Sequence, residues 1–559
     1  MDIDQAHFRR QLLDILKHIS NATFVTFDLE MSGISTRPKY GMGDRSHDIG
    51  KPTLQQQYED MKRAAETFQV LQMGITCVEE DHEREYYLAR PFNFNLSPLS
   101  ADGVDIKLER TFSFSSSACD FLQKNRFDFG QVFKSGVPYL SKREEDETRE
   151  EYMNRADRNS KIPDVVVSAS DPVALEFYRN ARKTINAWVN DPKPAYEFCN
   201  ITSPEGPLNA YQRRLVHQLV RNEFPTLRTF ARNDSHFMQV VKLDPAAEAT
   251  FQKRKLDGFN RAIAKQVGLR WIFEALSGGD LSAIDPKWFC PEESEKPELQ
   301  LNAVTKEFNE VCEALQNKKH IIVGHNLFTD LGFIYNTFIG LLPHNVKHFQ
   351  QDIHELFPQI IDTKYLATHG HDSMNPRAGL KELLEPFKKV HTPLIVLHEK
   401  HTSYGSSFGK EHEAGFDSWM TAELFVKLSA KLYAEKKHLA EEDADSDTSS
   451  DLIDECSVDN ELGGAPLNPP NINGTSNSST SHLPPEWHAR ELNRFSLLDD
   501  LDDGSGDSGK EGDDTDDSSS PGVQHFIPSM KNKFWEIYSN KLRVNAAEVG
   551  VCDLNEGSY

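Results

Sequence analysis

The sequence predicts an α/β fold in which helices pack against a mixed β-sheet. Residues 5–20 place apolar side chains at helical spacing, which predicts an amphipathic helix. Residues 23–27 are β-branched or aromatic, and this favours a strand directly after the helix. Residues 68–78 and 86–92 read as two further strands joined by an acidic turn. A helix, a strand and a strand hairpin in this order are typical of a mixed sheet covered by helices.

The composition limits the class of protein. A chain of 559 residues has room for about three or four domains. Hydrophobic content of 38% supports a buried core, whereas a mean hydropathy of −0.58 indicates long polar segments. No stretch approaches 18 consecutive apolar residues and the first residues are acidic, so we expect no membrane span and no secretory signal. Seven cysteines without a Cys-x-x-Cys pair indicate a reducing compartment and disfavour a zinc cluster.

Most of the negative charge lies in one segment. The net charge is −25, but residues 441–520 contain 22 Asp or Glu against 3 Lys or Arg, which accounts for 19 of these charges. The rest of the chain is therefore near neutral, and a nucleic-acid partner is not excluded. The Ser, Asp, Gly and Pro bias after residue 436 predicts a disordered acidic tail, because such a segment cannot bury enough apolar surface to offset its ordering entropy. We interpret the tail as a solvated linker, with phosphorylation or partner docking as the alternative.

A compact unit interrupts the principal fold. Residues 141–170 are charged and punctuated, which is typical of a linker. A helix is predicted to begin at Asp171, a second helix begins at Asn209, and strand-like runs occur near Arg228 and at 237–243. We interpret this helix–helix–strand–strand unit as a small inserted α+β domain.

The predicted organisation therefore has five parts. They are the first part of the principal domain (1–165), the inserted domain (166–245), a helical connector with the second part of the principal domain (246–435), the acidic linker (436–522) and a short C-terminal segment (523–559). The last segment regains aromatic residues but is too short for an independent domain.

Two carboxylates stand at the end of the first strand. Asp28 and Glu30 are separated by one leucine, so along a strand they point to the same face. Like charges held this closely repel, and one of them would protonate unless a cation lies between them. The alternative is a polar strand end that leads into a turn at Ser32 and Gly33.

A third carboxylate follows a later strand. Residues 303–315 predict a helix that leads into the apolar strand 321–324. Asn326 is predicted as the N-cap of the next helix, with Asp330 in its first turn at the edge of the sheet. The alternative is that Asp330 only stabilises the helix dipole, which is worth up to about 1 kcal/mol.

A fourth carboxylate comes with a histidine. Asp417 is predicted to begin an amphipathic helix, and His412 lies five residues earlier on a loop or first turn. This spacing places an imidazole beside a carboxylate, although a single histidine at a helix start is more commonly a surface residue.

Taken together, these residues predict a metal-dependent hydrolytic site. Four carboxylates without cysteine or paired histidine select hard cations, above all Mg²⁺. Two such ions about 3.5–4 Å apart suit in-line displacement at a phosphodiester. The imidazole of His412 titrates near neutral pH and suits general-base duty on the attacking water.

The sequence resembles the DEDD superfamily of 3′-to-5′ exonucleases, in the subclass whose third motif carries histidine, and more narrowly the poly(A)-specific ribonuclease (deadenylase) family. The matches occur in family order over nearly all of the ordered body. The matching stretches are 27–34 (Phe-Asp-Leu-Glu-Met-Ser-Gly-Ile), Phe121-Leu with 127–129, 136–140, 323–326 with Asp330, 362–364 and 412–417.

The resemblance implies a ribonuclease H-like mixed sheet and a role for each matching residue. Metal binding is implied for Asp28, Glu30, Asp330 and Asp417, with His412 as the general base. Ser32 and Ile34 are implied to line the pocket for the RNA 3′ end, and Phe121 and Lys364 to contact bases and phosphates. The alternatives are a core aromatic for Phe121, which could otherwise offer about 1–3 kcal/mol of stacking per base, and a solvated lysine for Lys364.

The inserted unit also has a counterpart in the family. This is a small domain that binds single-stranded nucleic acid and carries an Arg-x-x-x-His signature, which Arg213 and His217 fit. The spacing of four places both side chains on one face of the helix.

The expected function is removal of 3′-terminal poly(A) from RNA with release of 5′-AMP. The alternatives are trimming of the 3′ ends of small non-coding RNAs and a catalytically silent RNA-binding scaffold. Expected cofactors are two Mg²⁺ ions, for which Mn²⁺ can substitute. The resemblance further implies a homodimer, single-stranded RNA as the partner, and a location in nucleus and cytoplasm.

The sequence departs from the family in two places. Animal relatives carry an RNA-recognition domain after the nuclease, whereas only residues 521–559 follow the acidic segment here, so we expect no cap binding through such a domain. Residues 277–300 lengthen the approach to the second motif and have no functional interpretation.

Overall fold

A computed structural model describes most of the chain. The described residues are 1–36, 52–104, 106, 108–160, 163–168, 170–291, 297–370, 377–405, 412–447, 525–544 and 550–557. The predicted acidic tail, apart from the end of one long helix, lies outside these residues. In this part of the chain, none of the helices combines the length and apolar character that a membrane crossing needs.

Thirteen strands are described. They are β1 (Asp2–Ile3), β2 (Phe24–Met31), β3 (Val70–Asp81), β4 (Tyr86–Ser97), β5 (Val137–Pro138), β6 (Phe198–Thr202), β7 (Leu227–Arg232), β8 (Phe237–Lys242), β9 (Ile321–Gly324), β10 (Gln359–Asp362), β11 (Leu394–Leu397), β12 (Lys541–Arg543) and β13 (Val551–Asp553).

The α-helices fall between the strands. They are α1 (Gln5–Asn21), α2 (Leu54–Thr67), α3 (Ser116–Lys124), α4 (Phe129–Lys134), α5 (Lys142–Ser160), α6 (Pro172–Val189), α7 (Ala210–Glu223), α8 (Pro245–Val267), α9 (Arg270–Ser277), α10 (Pro297–Asn317), α11 (Phe328–Ile334), α12 (Val346–Leu356), α13 (Thr363–Thr368), α14 (Leu380–Leu384) and α15 (Ala414–Asp447).

The main sheet is mixed and has the order β1-β4-β3-β2-β9-β10, with β5 and β11 also pairing with β4. Strands β2, β3 and β4 are antiparallel neighbours, whereas β9 lies parallel to β2 and β10 parallel to β9. Three antiparallel strands followed by two parallel ones form the ribonuclease H-like sheet, so the predicted fold class is confirmed.

Alternation along β2 assigns its two faces. Val25, Phe27 and Leu29 are buried in one apolar core with α1, α2 and α12, and Phe24 is buried in a second core with α15. Since side chains alternate along a strand, Asp28 and Glu30 share the α15 side with Phe24. The helix that carries Asp417 therefore packs on the same face as the two strand carboxylates.

The inserted unit has its own small core. Helices α6 and α7 pack on the three-stranded antiparallel sheet β6-β8-β7 and bury an apolar cluster that includes Ile185, Leu215, Leu219 and Met238. Strand β6 was not predicted, because its short polar sequence (Phe-Cys-Asn-Ile-Thr) lacks a long apolar run.

The sequence predicted a linker at residues 141–170. The structure instead has helix α5 over most of this stretch, at 142–160. Its charges are held by partners: Glu144 receives two bonds of 2.7 Å from the guanidinium of Arg110, and Glu145 pairs with Arg270. Tyr152 stacks on Phe259 of α8 with ring centroids 3.9 Å apart. These partners lie far apart in sequence, so local composition could not reveal them.

The C-terminal segment packs on the principal domain. Its Trp535 is 2% exposed within the core that also holds α15. Asn540 accepts a hydrogen bond from the Ile360 nitrogen at 2.9 Å and donates its own nitrogen to the Ile360 oxygen at 2.8 Å. The segment thereby covers β10, which is otherwise the free edge of the main sheet.

Candidate active site

The site begins on β2, in the centre of the main sheet. Asp28 lies opposite Gly74 of β3, and Glu30 lies opposite Gln72. The parallel neighbour β9 pairs with β2 only through Val25 and Thr26, so the two carboxylates lie beyond this pairing. Asp28 is half-buried and Glu30 is 9% exposed.

The start of α15 contacts the strand backbone directly beside Asp28. A Cβ atom at Gly74 would lie 2.0 Å from the carbonyl carbon of Ala414, so only glycine permits this contact. Because Gly74 is the direct partner of Asp28, the contact brings the first turn of α15 next to the strand carboxylates.

Side chains from the sheet cap this helix. The Gln72 side-chain oxygen accepts from the Ala414 nitrogen at 2.9 Å, and the Asn93 side-chain oxygen accepts from the Gly415 nitrogen at 3.0 Å. These bonds satisfy helix-start N–H groups that would otherwise be orphaned. They fix the position of Asp417, which lies in the same first turn.

His412 lies in the same cluster. Single ligand atoms of Glu30, His412 and Asp417 all lie within 4.8 Å of one another, a spacing that could hold a metal ion. The His412 backbone is left-handed, with φ of 65°, and its ring meets the Phe121 ring edge-on at 4.6 Å between centroids. The structure therefore brings together a histidine and two carboxylates from β2 and α15.

Asp330 is the fourth carboxylate of the site and comes from α11, which follows β9. It lies in the first turn of α11, as predicted. The predicted N-cap is wrong: Leu327 occupies that position without a side-chain bond, and Asn326 adopts a left-handed φ of 63°. Asn326 tolerates this conformation better than most residues, so its role is to turn the chain.

The electrostatics show that the four carboxylates lie close together. Burial raises the pKa of Asp28 well above its usual value, and the charges of Asp417, Asp330 and Glu30 raise it further. Burial and the charges of Asp417 and Asp330 do the same to the pKa of Glu30. Burial, with a contribution from Asp362, raises the pKa of Asp330 to about 8. Such a group of mutually repelling oxygen ligands fits a divalent cation.

A stability measurement without metal checks this repulsion. Because the folded pKa of Asp330 exceeds its ordinary value, Asp330 binds more protons in the folded state between about pH 4 and 8, and its contribution to stability falls as pH rises through that range. Between pH 7 and 8 in EDTA we expect a loss of about 1.4 kcal/mol per retained proton, seen as a lower Tm. Buried histidines such as His325, whose pKa burial lowers to about 3, act oppositely but only below their usual value of 6.5.

Two controls accompany the pH measurement. Asp330→Asn should flatten the slope between pH 7 and 8, and Mg²⁺ should reduce the loss by taking the place of the protons. A Tm that stays constant or rises over this interval in EDTA would contradict the assignment.

The sequence did not predict a role for Asp362, which appeared only within the matching stretch 362–364. This buried carboxylate accepts from the backbone nitrogens of Asn326 at 2.8 Å and Lys364 at 2.9 Å. It also accepts from the Arg543 nitrogen at 2.9 Å. One side chain thus ties the end of β10, the C-terminal segment and the turn that begins the Asp330 helix.

Asp362→Asn is expected to lower activity and metal affinity by about 10–100-fold, because partners that orient ligating carboxylates are typically worth that much. An amide offers only one acceptor oxygen, so at least one of the backbone bonds is lost. The measurement is RNA hydrolysis against Mg²⁺ concentration. Asp171→Asn is the matched control, since Asp171 caps α6 in the inserted unit and asparagine caps equally well. An unchanged metal dependence would rule out this positioning role.

The two residues predicted at the RNA 3′ end differ in exposure. Ser32 is fully buried; its hydroxyl donates to the Ser113 oxygen at 2.7 Å and accepts from the Gln69 nitrogen at 3.0 Å. Ile34 is 65% exposed and lines a cleft of about 260 Å³ with Thr329, the neighbour of Asp330. Ile34 thus forms part of the surface of this cleft, whereas Ser32 is held within the fold by its two hydrogen bonds.

Phe121 and Lys364 also differ from each other. Phe121 is 46% exposed beside His412, so it is an accessible ring and not a core aromatic. Lys364 is 8% exposed and donates its amino group to the Ala378 oxygen at 2.5 Å, so its role as a phosphate contact stays a prediction. The alternative of a solvated lysine is wrong, because the side chain is buried. This burial lowers the pKa of Lys364.

Arg213 and His217 lie on α7 of the inserted unit. This helix packs in the separate apolar core of that unit. Arg213 donates to the Leu208 oxygen at 3.3 Å, and a ring nitrogen of His217 lies 2.5 Å from the Thr229 hydroxyl. Burial and the charge of Arg213 lower the pKa of His217, so its neutral form is favoured.

The strand order and the acidic cluster with its histidine define a nuclease site of the ribonuclease H-like class. A family model described as CAF1 family ribonuclease matches residues 3–425. The chain belongs to this family, and the resemblance to the DEDD exonucleases is thereby confirmed.

The chain is also similar to curated relatives and to a solved structure. The chain is 24% identical over 443 residues to the poly(A)-specific ribonuclease PARN of Danio rerio, covering 77% of this chain and 59% of the relative. It is 25% identical over 441 residues to the pre-piRNA 3′-exonuclease trimmer of Bombyx mori, covering 77% and 71%. The Mg²⁺- and Mn²⁺-bound structure of Pop2p from S. pombe aligns with 76% of this chain and 89% of its own, at 12% identity and a TM-score of 0.32.

The matched region is only part of the poly(A)-specific relatives. The chain spans about three fifths of the length of the first of them.

Proposed function

We propose that the protein is a 3′-to-5′ exoribonuclease that removes 3′-terminal adenylates from RNA and releases 5′-AMP. The observation that carries the proposal is the convergence of Asp28, Glu30, Asp330 and Asp417 with His412. The similarity to poly(A)-specific ribonucleases supports the choice of adenylates.

The four carboxylates are the residues that would hold the divalent cations, for which we propose two Mg²⁺ ions or Mn²⁺. Bound cations would neutralise phosphate charge and make a bound water more acidic. The protein holds these oxygen ligands at fixed spacing through the capped start of α15 and the turn before α11. His412 accepts the proton of the attacking water on its imidazole.

Exposed groups near this cluster receive the end of the RNA. Ile34 offers an apolar surface to the last nucleotide, and the exposed ring of Phe121 offers a face to a base. Both are contacts that any base can make, so adenine preference rests on the relatives alone.

A second candidate is trimming of the 3′ ends of small RNAs. It is supported by the similarity to the Bombyx mori trimmer. The chain covers 71% of the length of that relative, compared with 59% of the length of the Danio rerio ribonuclease. A silent RNA-binding scaffold is disfavoured, because all four carboxylates and the histidine are present and assembled.

Hydrolysis of oligo(A), oligo(U) and a structured RNA with a single-stranded 3′ end separates these functions. Deadenylation predicts that oligo(A) is shortened at least tenfold faster than oligo(U), with 5′-AMP as the product. Equal rates on the two homopolymers would favour trimming. Absence of hydrolysis with either Mg²⁺ or Mn²⁺ would favour the scaffold.

We further propose a homodimer that occurs in nucleus and cytoplasm, as the resemblance implies. The mass in solution, compared with 63.5 kDa for one chain, checks the dimer.

A further inference from the structure

The small sheet of the inserted unit has one face that the helices leave open. On the helical side, Cys199, Ile201, Met238 and Val240 enter the apolar core with α6 and α7. Since side chains alternate along a strand, the residues between them point to the other side.

Three rows of side chains cross this outer face. Their members are Phe198, Val241 and Arg228 in the first row, Asn200, Gln239 and Phe230 in the second, and Thr202, Phe237 and Arg232 in the third. Each strand contributes one phenylalanine. These three rings are half-buried and belong to none of the four apolar cores of the described residues.

Further groups extend the outer face. Tyr196 is 66% exposed and stacks on Phe198, with ring centroids 5.3 Å apart and an interplanar angle of 26°. The guanidinium of Arg232 lies 5.4 Å from the centre of the Phe230 ring. The nine positions include two arginines and no Asp or Glu, although Arg228 is partly neutralised by Glu248 at 3.0 Å.

This chemistry fits single-stranded nucleic acid. Aromatic rings on an open sheet stack bases of any identity, arginine attracts phosphates, and the amides of Asn200 and Gln239 can bond base edges. The nine positions carry positive and no negative side chains, which is complementary to RNA in a chain whose net charge is strongly negative.

The outer face is separate from the Arg-x-x-x-His pair. His217 contacts Thr229, whose side chain points to the helical side of β7, because the outward positions of that strand are 228, 230 and 232. The two features therefore lie on opposite sides of the sheet.

We propose that the outer face of the β6-β8-β7 sheet is a stacking platform for single-stranded RNA. It rests on the proposed function, since the nuclease site takes the 3′ end and the platform takes nucleotides on its 5′ side. Long RNA would then bind more tightly than RNA too short to reach both sites.

Binding of fluorescein-labelled 20- and 5-nucleotide oligo(A) to the full chain in EDTA tests the platform without hydrolysis. Phe230→Ala combined with Phe237→Ala should weaken binding of the 20-mer about tenfold or more, by loss of stacking. The matched control is Phe251→Ala, since Phe251 is 54% exposed on α8. Arg232→Gln should lower the slope of log K against log salt by about 0.7 per lost phosphate contact.

A conservative variant separates stacking from folding. Phe230→Tyr with Phe237→Tyr keeps the ring faces and should keep the preference for the 20-mer. Loss with alanine and retention with tyrosine support the platform. Affinity like that of the wild type in the alanine variant, or equal loss in both variants, overturns it.

The same measurements distinguish the platform from the nuclease function. If the wild type hydrolyses no RNA in Mg²⁺ but shows this binding pattern in EDTA, the exonuclease proposal fails and the platform stands. If the wild type hydrolyses RNA and the alanine variant binds normally, the exonuclease stands and the platform fails.

Discussion

Asp28→Asn should lower the rate of RNA hydrolysis at least about a thousandfold, equivalent to about 4 kcal/mol of lost transition-state stabilisation. Asp28 lies at the centre of the cluster, where the charges of Asp417, Asp330 and Glu30 all raise its pKa. An amide has the same shape but only one ligating oxygen and no charge. The measurement is single-turnover shortening of labelled oligo(A) at saturating Mg²⁺.

The same variant should be more stable than the wild type without metal. Removing one of the four mutually repelling carboxylates relieves a repulsion that the fold otherwise maintains for function. A raised Tm in EDTA together with lost activity would show that the site, and not the fold, was damaged.

Asp14→Asn is the matched control for Asp28→Asn. The Asp14 side chain is 72% exposed on α1 and lies 3.4 Å from the amino group of Lys17. It should change neither activity nor Tm. Activity of Asp28→Asn within threefold of wild type would contradict the metal-ligand assignment.

His412→Ala should lower the rate by about 10²–10⁴-fold, the usual contribution of a positioned general base. The metal affinity decides between two roles, because a ring nitrogen also lies within 4.8 Å of ligand atoms of Glu30 and Asp417. A general base leaves the Mn²⁺ dissociation constant unchanged, whereas a metal ligand raises it when removed.

His348→Ala is the matched control for the histidine, since His348 is exposed on α12 and alanine suits a helix. Its rate should equal that of the wild type. An unchanged rate in His412→Ala would exclude the histidine from the chemistry.

The sequence was most informative where a site residue is placed by its own strand or helix. Asp28 and Glu30 follow from the two-residue period of β2, and Asp330 and Asp417 from helices that begin near them. The pairing of β3 with β4 also followed from a local pattern, because these two strands form the predicted hairpin.

The misses share a physical cause, which is contact between distant parts of the chain. The role of Asp362 depends on bonds from the Asn326 nitrogen, 36 residues away, and the Arg543 nitrogen, 181 residues away. The buried amino group of Lys364 bonds to the oxygen of Ala378. The helix at 142–160 is paired through Glu144 with Arg110 and through Glu145 with Arg270. The capping of α15 by Gln72, 342 residues before it, left no local signal either.

The C-terminal covering of β10 has a consequence for how the protein is made. During translation, the strand that ends at Asp362 leaves the ribosome before Asn540 and Arg543 exist to cover it. At roughly 5–20 residues per second, the delay is on the order of ten seconds or more. Through that interval the nascent chain carries an open sheet edge and an Asp362 that lacks the backbone donor of Arg543. The nuclease site is therefore finished only after Arg543 has been made, later than every one of its ligands.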